Sequence, residues 1–216
     1  MDVAFLGHSS FLLSGKDVSV VTDPFDPGSV GIRYPRVEAT VITISHDHSD
    51  HNKVELVSGV KKVISGPGEY EIEGVSIIGI PSFHDDKRGA ERGKNTIYVY
   101  EMEGLRLCHL GDLGHSLNDE MVSTIGDIDV LMIPVGGHYT IDGQKAADVV
   151  HSIEPKVTIP MHFQVPGLNP EVFSDLTDEK PFINEMGISA RQEKKLSIKA
   201  GNLPEDNQEI VVLGIV

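Results

Sequence analysis

The segment that most restricts how this chain can fold is Ser45-His46-Asp47-His48-Ser49-Asp50-His51, which follows directly on the run Thr40-Val41-Ile42-Thr43-Ile44. A β-branched apolar run of that length reads as a buried strand. The chain therefore leaves a core strand straight into a row of metal-binding side chains. On extended backbone, residues i and i+2 project to the same side, so His46 and His48 can grip one metal together. Asp50 and His51 lie just beyond, where a loop can turn them toward a second position. Imidazole nitrogens and carboxylate oxygens suit zinc at ~2.0–2.2 Å, and manganese or iron accept the same donors. The competing reading is a solvated polar loop that holds three of the chain's ten histidines by chance. Placement at the mouth of a buried strand argues against it.

The surrounding pattern is that of short strands. Compact apolar runs at 3–6, 10–13 and 18–21 suggest a meander that ends at Thr22-Asp23-Pro24. Residues 24–35 read as a loop, with three prolines and two glycines. After the 40–44 strand, a short helix is expected near 54–58. Further strands are expected at 63–64, 70–72 and 75–80. Residues 81–95 read as a polar loop containing His84, followed by strands at 96–100 and 105–110. Beyond these, helices at 120–125 and 144–153 alternate with strands at 130–133 and 157–159. The tail is expected to be mixed, with helix at 172–176 and 182–186 and strand at 196–198 and 210–213. With 216 residues and neither a repeat nor a linker, one α/β domain spanning 1–216 is the simplest account.

His46-x-His48-x-Asp50-His51 resembles the signature of the metallo-β-lactamase superfamily. Other parts of that pattern occur in the expected order. An acidic residue, Asp23, ends an early strand; His84 sits in Pro-Ser-Phe-His; Asp112 sits in Gly-Asp-Leu-Gly; and His162 ends Ile-Pro-Met-His. Leu113 is the departure, since that position is commonly Thr. Gly7-His8-Ser9 and Pro134-Val135-Gly136-Gly137 resemble the branch of Zn-dependent hydrolases that includes the ascorbate-6-phosphate lactonases. The resemblance covers residues 1 to about 165.

That resemblance implies a four-layer αββα sandwich with two divalent metals at one edge, zinc first, with manganese or iron as alternatives. His46, His48 and His84 would hold one metal, and Asp50, His51 and His162 the other. Asp112 would bridge both. Two dications need an anionic bridge to offset their repulsion, and together they lower the pKa of a shared water until it supplies hydroxide. Asp50 and Asp112 are the residues expected to act in catalysis, Asp50 by orienting the nucleophile. Singly, His84 and His162 could be ordinary loop histidines and Asp112 a turn cap. Asp23 is expected to orient a metal-bound imidazole rather than to bind metal.

Other histidines carry weaker claims. His8 could face the site or sit in a tight turn, and His138 is expected at the surface or in a turn. His109 reads as a satisfied core residue, and His115 and His151 as surface residues. Cys108, the sole cysteine, excludes an internal disulfide and reads as buried. The loop cations Lys87, Arg88, Arg92 and Lys94 could meet an anionic substrate, but the acids among them favour a self-paired loop. Gly89 and Gly93 would let residues 85–95 act as a lid.

Charge and composition narrow the function. A net charge of −15 makes nucleic acid a poor default partner. No run suits a membrane span, and the N-terminal residues lack an export pattern, so a cytoplasmic protein is expected. Thioester hydrolases of the superfamily carry a helical substrate domain, its nucleases an inserted domain or basic arm, and its secreted lactamases a Cys at the Asp112 position. None of these parts is evident. The expected activity is hydrolysis of a small ester, lactone or phosphoester. The alternatives are a di-iron oxidoreductase or oxygenase on the same fold, or a metal-binding protein without turnover.

Overall fold

The short apolar runs of the first half fold as strands: β1 (Asp2–Gly7), β2 (Ser10–Ser14), β3 (Ser19–Thr22), β4 (Val37–Glu38), β5 (Val41–Ile44), β6 (Val57–Ser58), β7 (Lys62–Ser65), β8 (Gly68–Ile72), β9 (Val75–Phe83), β10 (Lys94–Met102) and β11 (Leu105–His109). One helical turn, α1 (Pro27–Val30), interrupts them. Pro27 starts it and the Asp26 side chain caps it by accepting from Gly28 N. Helix and strand then alternate through α2 (Asp119–Ile125), β12 (Val130–Pro134), α3 (Gly143–Ile153) and β13 (Val157–Met161). The tail adds α4 (Pro170–Phe173), α5 (Lys180–Met186), β14 (Ala190–Glu193), β15 (Leu196–Ser197) and β16 (Glu209–Leu213). This computed structural model describes residues 1–204 and 208–216.

The strands form two large sheets, ordered β15-β1-β2-β3-β5-β7 and β14-β16-β13-β12-β11-β10-β9-β8, with β4 and β6 paired separately. Apolar side chains from both sheets, among them Val3, Leu13 and Val41 from one and Ile77, Met132 and Ile159 from the other, make one shared core. A second core lies between the larger sheet and α2, α3 and α5, where Val150, Phe182 and Met186 meet Val99, Leu131 and Ile133. A third covers the outer face of the smaller sheet, with Val30 of α1 and Phe173 of α4 against Val21 and Ile42. The layers run helix, sheet, sheet, helix, as expected, because each sheet must bury both faces.

Two tyrosines of β10 fix the sheets relative to each other. Tyr100 Oη lies 2.7 Å from Thr43 Oγ1 and Tyr98 Oη donates to Ile44 O at 3.0 Å. Both rings are fully buried, so each hydroxyl needs such a partner. Their partners are the last residues of β5, immediately before the His-rich segment.

Pairing directions explain where functional side chains converge. β1 and β3 each run antiparallel to β2, and β5 runs parallel to β3. In the other sheet β9 and β11 each run antiparallel to β10, while β12 and β13 continue parallel to β11. β1, β3 and β5 of one sheet and β9, β11 and β13 of the other therefore point their C-terminal ends at one edge, and those ends deliver His8, Asp23, His46, His84, Asp112 and His162. His162 N donates to His8 O at 2.8 Å, and Thr96 N to Ser45 O at 2.9 Å, tying the sheets together there.

The structure departs from the sequence expectations at element edges. Residues 24–35 contain α1, and 54–58 form a 3-10 turn (Val54–Leu56) followed by β6 instead of an α-helix. The loop at 81–95 is shorter than expected, because β9 continues to Phe83 and β10 begins at Lys94. The helix expected at 172–176 ends at Phe173. β14 is not foreshadowed by any sequence signal, since its Ala-Arg-Gln-Glu segment lies on an exposed sheet edge without apolar alternation. Among the described residues no helix is long and apolar enough to cross a membrane.

Gly136 shows how tightly the site edge is packed. A Cβ there would lie 2.2 Å from His162 O and 3.0 Å from Phe163 Cα, both backbone atoms. Gly136→Ala should cost about 1–3 kcal/mol, the usual range for overpacking. Gly201→Ala, whose added methyl would meet nothing within 4 Å among the described residues, should be near neutral. Denaturant titration of the pair checks this, and equal midpoints would show that the edge yields more than the geometry allows.

Candidate metal centre

Three of the residues that turn out of the strands into the site have left-handed backbone: His8 (φ 55°), Asp23 (φ 39°) and His162 (φ 50°). For non-glycine residues this conformation costs free energy and persists where the surroundings impose it. Here it aims each side chain across the sheet edge instead of along the strand.

Asp23, 1% exposed, organises the His-rich segment. Its Oδ1 accepts from Ser45 N at 2.7 Å, and its Oδ2 accepts from Ser45 Oγ at 2.6 Å and from His51 Nδ1 at 2.9 Å. Ser45 Oγ has only one proton, and it goes to Asp23. Ser45 Oγ must therefore accept from His46 Nδ1, 2.9 Å away. Both imidazoles are thereby held with Nδ1 protonated and Nε2 turned into the site.

The Nε2 atoms converge on Asp112. Its Oδ2 lies 3.3 Å from His51 Nε2, 3.2 Å from His84 Nε2, 3.1 Å from His162 Nε2 and 4.0 Å from His46 Nε2. His48 Nδ1 lies 3.1 Å from His46 Nε2. On the other side, Asp50 Oδ2 lies 3.6 Å from His51 Nε2 and 3.0 Å from His8 Nε2. So many ring nitrogens this close to one carboxylate oxygen need protons or metal cations between them. Three overlapping groups have donor atoms within 4.8 Å of one another: His46-His48-His84, His46-His51-Asp112, and His8-Asp50-His51-His162. All seven residues expected to bind metal are brought together, and His8 joins them.

Electrostatics agree with a site built for cations. Burial pushes the Asp112 carboxyl up, but His162 and His51 outweigh it and hold it well below the ordinary carboxylate range. Asp50 follows the same pattern, lowered by His51 and His8 against burial. Burial would depress His51, yet Asp112, Asp50 and Asp23 raise it well above 6.5. The surrounding carboxylates thus favour positive charge at His51, whether from a proton or from a metal. His46 is pushed down by burial and by His51. His8 falls to about 4 through burial and His162, only partly offset by Asp50.

Supporting contacts reach far along the chain. Buried Asn95 accepts from Asp112 N at 3.0 Å and donates to Ser82 Oγ at 2.7 Å and Leu110 O at 2.9 Å. His109 is a satisfied core residue as expected, 2.8 Å from Ser9 O and accepting from Gly111 N. His115 is half-buried and accepts from Phe83 N, so it braces the strand end before His84. His138 is exposed, 3.7 Å from Asp175, and His151 is exposed on α3. Neither joins the cluster. No local pattern marks Ser45, Asn95 or His115, because their partners lie on other strands.

The profile of the β-lactamase superfamily domain matches residues 2–162. This chain belongs to the metallo-β-lactamase superfamily. Among superfamily relatives, the UPF0173 metal-dependent hydrolase of Thermococcus onnurineus is 29% identical over 208 residues, spanning 82% of this chain and 92% of that protein. A crystal structure from Thermotoga maritima, assigned to the Zn-dependent hydrolases of the superfamily, superposes with a TM-score of 0.80 at 36% identity over 98% of each chain. CmlA, a diiron β-hydroxylase from Streptomyces venezuelae, shares the fold at 15% identity, with a TM-score of 0.59 over 85% of this chain and 49% of that one.

Metal binding to this cluster must displace protons, chiefly from His51, so affinity should rise with pH and keep rising above about pH 6.5. Removing the carboxylate in Asp23→Ala should weaken binding about 10–100-fold, as loss of such orienting partners does. Zinc titration against a competing indicator reads both. A flat pH response, or unchanged affinity in the variant, would refute the roles given to His51 and Asp23.

Proposed function

We propose that this superfamily member is a metal-dependent hydrolase that uses two divalent metals to cleave a small ester, lactone or phosphoester. The observation carrying this reading is Asp112 Oδ2, a single carboxylate oxygen 3.1–3.3 Å from His51, His84 and His162, with donor groups on either side. An anion so placed suits a bridge between two cations. His46, His48 and His84 would hold one metal; Asp50, His51 and His162 would hold the other. The donor set fits zinc first, with manganese or iron also compatible.

Two metals bound here would supply hydroxide near neutral pH and polarise the substrate oxygen. The chain's own groups do the rest. Asp50 is held ionised by His51 and His8, so its carboxylate is available to orient the attacking water through a hydrogen bond. Asp23 and Ser45 keep the His51 and His46 rings fixed, so their nitrogens need no reorganisation during turnover. A cleft of about 420 Å³ opens beside His46 and His48, a volume suited to a small molecule.

Protein stripped by a chelator should hydrolyse generic esters, lactones and bis-aryl phosphodiesters no faster than background. About two equivalents of zinc or manganese should restore the rate, and Asp112→Ala should lower it at least about 100-fold. Full activity in the stripped protein would end the proposal. Stoichiometric iron with redox-active optical bands would shift it to oxidative chemistry, of which the fold is capable in the diiron hydroxylase.

A further inference from the structure

The cleft beside His46 and His48 is also lined by Arg92 and Lys94, with Ser65, Gly66 and Thr96 completing its walls. These are the two cations of their loop that line the cleft; Arg88 also lacks a carboxylate within 4.0 Å among the described residues but lies outside it. Lys87 is occupied by Glu91 at 2.5 Å. Asp85 is occupied by the backbone, its carboxylate accepting from the N–H groups of Lys87, Gly89, Glu91 and Arg92 at 2.7–2.9 Å. Asp47, the acid that shares the cleft, accepts from Asn52 Nδ2. Among the described residues, no carboxylate oxygen lies within 4.0 Å of the Arg92 or Lys94 side-chain nitrogens.

Arg92 is also held in place. Its guanidinium carbon lies 5.6 Å from the centre of the Tyr139 ring. Tyr139 is anchored by its hydroxyl to Val172 O at 2.6 Å and packs edge-on against Phe173, which in turn contacts His8 and His162. The Asp85-bound turn fixes the backbone at Arg92 from the other side. A half-buried arginine positioned by an aromatic ring, with no acid partner, is arranged to receive an anion from outside the chain. In a chain of net charge −15, two unpaired cations at one cleft form a local attractive site for a small anion and not for a polyanion, which the surrounding charge repels.

We infer that Arg92 and Lys94 form an anion-recognition subsite that selects small substrates carrying a carboxylate or phosphate group beside the bond to be cleaved. Arginine grips either group through paired hydrogen bonds, and lysine adds a point charge. The inference rests on the hydrolase reading for the cleavage step, while the binding itself can be measured without turnover.

The metal-loaded full chain is assayed with 4-nitrophenyl butyrate and its carboxylated counterpart, mono-4-nitrophenyl succinate. The wild type should favour the charged ester in kcat/KM by about tenfold or more, and Arg92→Ala/Lys94→Ala should erase most of that ratio through KM. Lys94→Gln alone, an exposed change with little risk to folding, should lower the ratio about threefold. Lys87→Ala should not change it. A merely structural role for Arg92 would lower both rates and leave their ratio intact, which would overturn the subsite. So would a wild type without preference, or an equal effect of Lys87→Ala, which would mark a diffuse field in place of a site. In parallel, calorimetric titration with succinate and with glycerol 3-phosphate shows which anion is preferred. It also separates the two readings: if neither ester is hydrolysed but the double variant binds these anions at least about fivefold more weakly, the subsite stands without the hydrolase. Unchanged binding overturns the subsite whatever the turnover.

Discussion

The buried carboxylate of Asp23 is the constraint on which the rest of the site depends. An ionised carboxylate at 1% exposure costs several kcal/mol unless its lone pairs are filled. Among the described residues, the groups that fill them come from Ser45 and His51, the two ends of the His-rich segment. The charge at the end of β3 therefore cannot be buried unless the loop after β5 takes one conformation. That conformation fixes the Nδ1 protons of His46 and His51 and turns their Nε2 atoms toward Asp112. The order of dependence runs from a strand end, to a loop, to proton positions, and only then to metal.

The same dependence explains what could be read from the sequence. His46, His48, Asp50 and His51 are legible because their spacing is local and a strand precedes them. His84, Asp112 and His162 are legible as an ordered set only beside a family pattern, since nothing in Ile-Pro-Met-His alone separates a ligand from a loop residue. Ser45 and Asn95 act through partners 22 and 17 residues away, and no spacing rule reports such contacts. His8 is the intermediate case: Gly7-His8-Ser9 marks a turn, but its approach to Asp50 depends on β1 and β5 lying in one sheet with parallel ends. The tail was legible in content and not in place. β15 extends one sheet while β14 and β16 extend the other, and pairing of that kind depends on which edges remain open.

The loop after β9 shows how composition can mislead when charges are merely counted. Its acids and bases nearly balance, which favours a self-paired solvated loop. Asp85, however, serves the backbone, four N–H groups converging on one carboxylate. That use removes an acid from the balance and closes the loop into a compact turn. The turn also bears on mobility. Gly89 and Gly93 have left-handed backbone (φ 80° and 92°) and are joined by the Gly93 N to Gly89 O hydrogen bond. They serve a fixed turn geometry, which weakens the case for a freely moving lid.

Positive charge at the cleft and negative charge over the chain have different consequences for a substrate. The net charge sets a long-range field, which salt screens within about 10 Å. It repels every anion, and those of highest charge most. Arg92 and Lys94 act at contact distance, where screening is weak and geometry decides. On the proposed subsite, a small anion that reaches the cleft would be held, whereas a polyanion would be repelled along the rest of its length. The size of the cleft, the unpaired cations and the acidic surface thus work in the same direction: with the proposed subsite in place, they would favour small ligands and single out the charged ones among them.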